Sequence, residues 1–101
     1  MDKKLGAELE VNNVSIELNP FAEQFLGRTV VGAVSSLKGA EHIRDLELHL
    51  ERGDVKLVIN SDDLPLTPFP KEILTNTVIG MVSPLKGVDK IDSLKIVVKR
   101  H

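Results

Sequence analysis

Thr29-Val-Val-Gly-Ala-Val-Ser-Ser-Leu-Lys-Gly39 returns as Thr77-Val-Ile-Gly-Met-Val-Ser-Pro-Leu-Lys-Gly87, 48 residues further along the chain. The same offset runs without a gap from Ile16/Leu64 to Arg52/Arg100, and 15 of those 37 pairs are identical. The chain is therefore one unit written twice, approximately residues 8–53 and 56–101. Two copies are too few for a solenoid. A single domain of two halves closed about a pseudo-twofold axis is the expectation, and 101 residues suit one domain.

Working outward, each repeated stretch reads as the end of a helix. Asn19-Pro20 opens the first, with Asn as N-cap and Pro at a position whose missing N–H has no helical partner. The helix is expected to run to about Lys38 and to close at Gly39. Leu26, Val30, Val34 and Leu37 form its core stripe, beside small residues Thr29, Gly32 and Ser36. Thr67-Pro68 opens the second helix. Its stripes are Leu74, Val78, Val82 and Leu85, then Thr77, Gly80 and Pro84, and Gly87 closes it.

The flanking segments alternate apolar and polar residues, the mark of half-buried strands. They are Ala7–Val11, Asp45–Glu51, Val55–Ile59 and Ser93–Lys99. Arg52-Gly53-Asp54 joins the middle two as a hairpin. Asn12-Asn13 suits a bulge or a tight turn, so Val14–Leu18 either continues the first strand or folds back. Asn60–Asp63 reads as a polar loop.

The resulting β-α-β-β-α-β order resembles the ferredoxin-like sandwich. It implies an α+β fold: a four-stranded antiparallel sheet in order 4-1-3-2 with two helices on one face. Outward charges agree. Glu8 and Glu10 on the first strand, Glu47 and Glu51 on the second, Lys56 on the third, and Lys95 and Lys99 on the fourth alternate in sign in that order. A meander would set two acidic strands side by side.

Composition narrows the function. Net charge is −2 and pI about 5.9, so nothing draws the chain to nucleic acid or an anionic membrane. RNA-recognition modules of the same element order stack bases on aromatic residues of the middle strands. Here the only aromatics besides histidine are Phe21, Phe25 and Phe69, all on helices. The chain has no cysteine and no apolar run of membrane-spanning length, and its N-terminus lacks the apolar core of a signal peptide. A cytoplasmic location is expected.

Candidate chemistry is sparse. His49 stands between Glu47 and Glu51 on one strand face, and His42 lies near Asp45. Histidine beside carboxylate can carry protons or bind metal, yet no third ligand is implied, and a solvated charged face explains the pattern equally well. Asp62 and Asp63 could attract a hard cation but also suit a turn. The repeated Ser-x-Leu-Lys-Gly places lysines at helix C-termini, whereas anions favour N-termini. Arg52-Gly53-Asp54 and the sequon Asn13-Val14-Ser15 have secretory readings that a chain without signal peptide or cysteine does not favour. No cofactor and no metal are expected.

The expected role is a non-catalytic, oligomerising protein-interaction or regulatory module. The alternatives are a small-ligand-binding domain with its site at a subunit interface, and a small enzyme using His42 or His49 with neighbouring carboxylates. Val31 and Ile79 hold matching places on the helical arcs otherwise carrying Gln24, Arg28, Glu72 and Asn76, with Phe21 and Phe69 at the edge. These four residues form the expected interface of a homo-oligomer.

Overall fold

Asn12 and Asn13 adopt φ of 53° and 68°. Asparagine tolerates this left-handed region, and two such residues in succession make the turn of a two-residue hairpin. Val14 therefore folds back. The computed structural model describes residues 5–37 and 42–100, and in it β1 (Leu5–Val11) pairs antiparallel with a short β2 (Val14–Ile16). The chain does the same 48 residues later. Asn60 and Ser61 take φ of 51° and 74°, joining β4 (Asp54–Ile59) to β5 (Asp62–Asp63). The remaining strands are β3 (Asp45–Glu51) and β6 (Ser93–Arg100), with helices α1 (Pro20–Ser35) and α2 (Pro68–Val82).

The sheet has six strands, in the order β2-β1-β6-β3-β4-β5. This corrects the expected four-stranded, 4-1-3-2 sheet. The expected strands are β1, β3, β4 and β6. Their outer pairs, β1 with β6 and β3 with β4, do form. The expected central pair of β1 with β4 does not form, and β3 lies beside β6 instead. The hairpin arms explain why. A strand has two edges; β2 and β6 occupy those of β1, while β3 and β5 occupy those of β4. What reads as a polar loop at Asn60–Asp63 is the second of these hairpins.

The registers repeat the duplication. Leu9 faces Ile96 in one half and Leu57 faces Leu48 in the other, each residue 48 from its counterpart. In the central pair Leu48 faces Ile96, which is its own counterpart, so a pseudo-twofold axis passes between β3 and β6. Reversing the strand order exchanges the two halves.

One core holds the fold together. Leu9, Val11, Leu46, Leu48, Leu57, Leu94, Ile96 and Val98 point from one sheet face into the buried stripes of both helices. Those stripes are Leu26, Val30, Val31 and Val34 on α1, and Leu74, Val78 and Val82 on α2. At about 25 cal/mol per Å² of apolar surface, such packing is the main stabilising term.

The helices start as the sequence implies. Asn19 accepts a hydrogen bond from the Ala22 N–H at 2.8 Å, whereas the Thr67 side chain makes no capping bond. Both helices end early, at Ser35 and Val82. Pro84, lacking an N–H, cannot extend α2; Lys38 and Gly39 lie outside the described residues. Gly32 and Gly80 are exposed, and a Cβ on either meets nothing within 4 Å. Neither glycine serves close helix packing within the chain. Gly27 is the packed glycine, its Cβ position 3.4 Å from the Leu5 side chain on β1.

Asn12 and Asn60 also latch the halves. Asn60 Oδ1 accepts from the N–H groups of Arg44 (2.8 Å) and Asp45 (3.1 Å), and its Nδ2 donates to the His42 carbonyl (2.9 Å). Asn12 Oδ1 accepts from Asp92 and Ser93, and its Nδ2 donates to the Lys90 carbonyl. Each latch pins the segment entering a central strand to a hairpin turn.

Candidate functional site

The open sheet face gathers the charged residues into rows. Register places Glu10, Lys95, His49 and Lys56 side by side across β1, β6, β3 and β4. His49 Nε2 lies 3.1 Å from Glu47 Oε1, so the two share a hydrogen bond along one face of β3. A shallow groove of about 130 Å³ runs here, lined by Glu10, His49, Glu51 and Lys95 among others. It is small beside the 300 Å³ or more of common ligand pockets.

The other polar candidates are not brought together. Asp45 shares the face of His49 but stands four residues away, about 13 Å along a strand. His42 is exposed, at φ 54°, and its carbonyl serves the Asn60 latch. Asp62 and Asp63 are exposed on β5, and as successive strand residues they point to opposite faces. Among the described residues, no three His, Asp or Glu side chains gather as metal ligands. Arg52 and Gly53 form the β3–β4 hairpin turn, at φ of 49° and 81°.

The helical layer is different in character. Phe21 is 76% exposed and Phe69 71%. Phe25 and Ile73, one turn further and likewise 48 apart, are also exposed. The rings of Phe21 and Phe25 stack with centroids 5.9 Å apart. Each half thus shows water an apolar pair on the first turns of its helix. Phe25 and Ile73 complete patches of which sequence reasoning named only Phe21 and Phe69; their matching positions in the two copies were the available signal.

Val31 and Ile79 lie elsewhere than the helical wheel suggests. Val31 is 8% exposed, and Ile79 is half-buried against the core. The buried arc of α1 therefore takes in Val31 as well as the stripe of Leu26, Val30 and Val34.

The two halves differ along the outer edges of β1 and β4. In the first, the edge of β1 beyond β2 is closed by side chains of α1. Gln24 accepts from the Leu5 N–H (3.3 Å) and donates to the Leu5 carbonyl (2.7 Å), while Glu23 accepts from the Ala7 N–H (3.0 Å). Their counterparts are Glu72 and Lys71. Lys71 donates to Asp54 Oδ1 at 3.2 Å, and Glu72 is exposed. Here lies an open surface depression of about 350 Å³, lined by Gly53, Leu66, Pro68, Lys71, Glu72 and Thr75 among others.

No helix among the described residues is long and apolar enough to cross a membrane. No protein-family model matches the sequence, and comparison with curated proteins and with solved structures found no match.

Proposed function

We propose that this chain is a non-catalytic protein-interaction module that assembles with further copies of itself through its helical layer. The supporting observation is the pair of exposed aromatic patches, Phe21 with Phe25 and Phe69 with Ile73, at matching positions in the two halves. A phenylalanine buries on the order of 150–200 Å² when covered. At about 25 cal/mol per Å², covering the roughly three-quarters of Phe21 and Phe69 that is exposed offers about 3–4 kcal/mol each before the costs of association. Two equivalent patches per chain let each protomer meet two neighbours, in a closed ring or a longer assembly. The interface residues are then Phe21, Phe25, Phe69 and Ile73, with Ile79 at its margin.

Light scattering coupled to size exclusion tests this reading. The wild-type chain is expected at a multiple of its 11.1 kDa mass at high micromolar concentration. Phe21→Ser with Phe69→Ser is expected to give the monomer with an unchanged far-UV spectrum. A wild-type monomer at that concentration would end the proposal.

A further inference from the structure

Glycine inside a helix weakens it relative to alanine, and on an exposed face no packing within the chain offsets that. Both helices nevertheless carry one, Gly32 and Gly80, 48 residues apart, each exposed with open space where a Cβ would stand. Each lies on the outward stripe of its helix, opposite the buried one. On α1 that stripe is Phe21, Phe25, Arg28, Gly32 and Ser35, all exposed. On α2 it is Phe69, Ile73, Asn76, Gly80 and Ser83, all exposed as well. Both stripes taper, from bulky apolar side chains at the N-terminal end to glycine and serine at the C-terminal end.

We infer that α1 of one copy packs antiparallel on α2 of a second copy, with Phe25 seated over Gly80 and Ile73 over Gly32. This contact rests on the self-assembly proposed above and names which surfaces meet. Two tapering stripes fit each other only in the antiparallel sense. Run parallel, they would set phenylalanine against phenylalanine at one end and leave a gap between glycines at the other. Run antiparallel, each large residue meets a small one, and the same register that seats Phe25 on Gly80 brings Phe69 over Ser35. Arg28 and Asn76 then meet at the centre, where the guanidinium donates to the amide oxygen. That centre also selects the partner helix. Two α1 helices in the same arrangement would set Arg28 against Arg28, and like charges facing each other are unfavourable. Pairing α2 with α2 would leave α1, which carries two of the three phenylalanines, without a match. At about 200 Å² for a phenylalanine, the exposed parts of the three offer about 400 Å² per copy, half of the about 800 Å² each partner buries in a standard interface. The other residues of the stripes add to that area.

The test fills the seats. Gly32→Leu with Gly80→Leu adds bulk where the fold has room, so an unchanged far-UV spectrum is expected. In a dilution series followed by light scattering, this variant is expected to self-associate at least about tenfold more weakly than wild type. On glycines that seat nothing, two leucines would add apolar surface and strengthen association, so the sign of the change decides. Association as strong as wild type or stronger overturns the seating and leaves self-assembly standing. Cysteine links identify the partner helix, because the chain has no cysteine of its own. Ser35→Cys chains mixed with Phe69→Cys chains are expected to join through a short bismaleimide, and Ser35→Cys chains mixed with Phe21→Cys chains are not. The reverse result would mean that α1 meets α1 and would overturn the inference. A wild-type monomer at high micromolar concentration would overturn both this contact and the reading on which it rests.

Discussion

Replacing Asn60 by alanine removes three hydrogen bonds at once, to Arg44, Asp45 and His42. A protein hydrogen bond contributes about 0.5–1.5 kcal/mol net. Two of the three are exposed and the one to Asp45 is partly buried, so water partly replaces them, and about 2 kcal/mol for the set is reasonable. Alanine must also hold a φ of 51°, which costs a residue with a Cβ roughly 1 kcal/mol more. The expected loss is therefore about 3 kcal/mol, or about 12–24 °C in melting temperature for a chain of this size. Two further variants separate the terms. Asn60→Gly accepts the φ but loses all three bonds, so about 2 kcal/mol is expected. Asn60→Asp keeps the acceptor and loses only the donor to His42, so about 1 kcal/mol is expected. Urea denaturation at neutral pH should rank them Ala, Gly, Asp, and the same series at Asn12 should follow that order. An aspartate as damaging as alanine, or an alanine within about 0.5 kcal/mol of wild type, would show that the latch contributes little.

Gly32→Ala, on an open helix surface, should stabilise by up to about 1 kcal/mol, whereas Gly27→Leu should destabilise by about 1–3 kcal/mol through overpacking against Leu5; urea midpoints moving the other way would reverse the assignment of the two glycines. Val31→Lys should abolish cooperative unfolding in thermal circular dichroism, because an unpaired charge would enter the core. A folded Val31→Lys monomer would instead mean that the residue serves an interface.

The helices and the duplication were legible because their signals are local. Asn19-Pro20 and Thr67-Pro68 mark helix starts whatever lies around them, and buried stripes such as Leu26–Val30–Val34 follow from one periodicity. The hairpin arms were not legible. β2 and β5 have only three and two residues, and aspartate, both residues of β5, is depleted in strands. Strand order escaped for a second reason. With β6 basic and β1 acidic, the order β1-β6-β3-β4 alternates in sign as well as 4-1-3-2 does. Charge pairing thus excluded a meander but could not separate the two. Of the candidate site, Phe21 and Phe69 could be named from their matching positions, whereas the depression beside α2 could not. It lies between the turn glycine Gly53 and the first turns of α2, which only the tertiary fold brings together.

The strand order also governs how the chain can reach this structure. β6 lies between β1 and β3 of the first half, and β3 lies between β4 and β6 of the second. Neither half contains a complete sheet, so neither can fold first and template the other. Hairpins such as β1–β2 close over a few residues, but Leu9 meets Ile96 only across 87 positions of chain. Such distant pairing slows folding towards the range of about milliseconds to seconds. On the ribosome, the last strand to emerge is the one that joins the rest. Until it arrives, β1 and β3 expose bare backbone edges, the interval in which this chain is most open to aggregation.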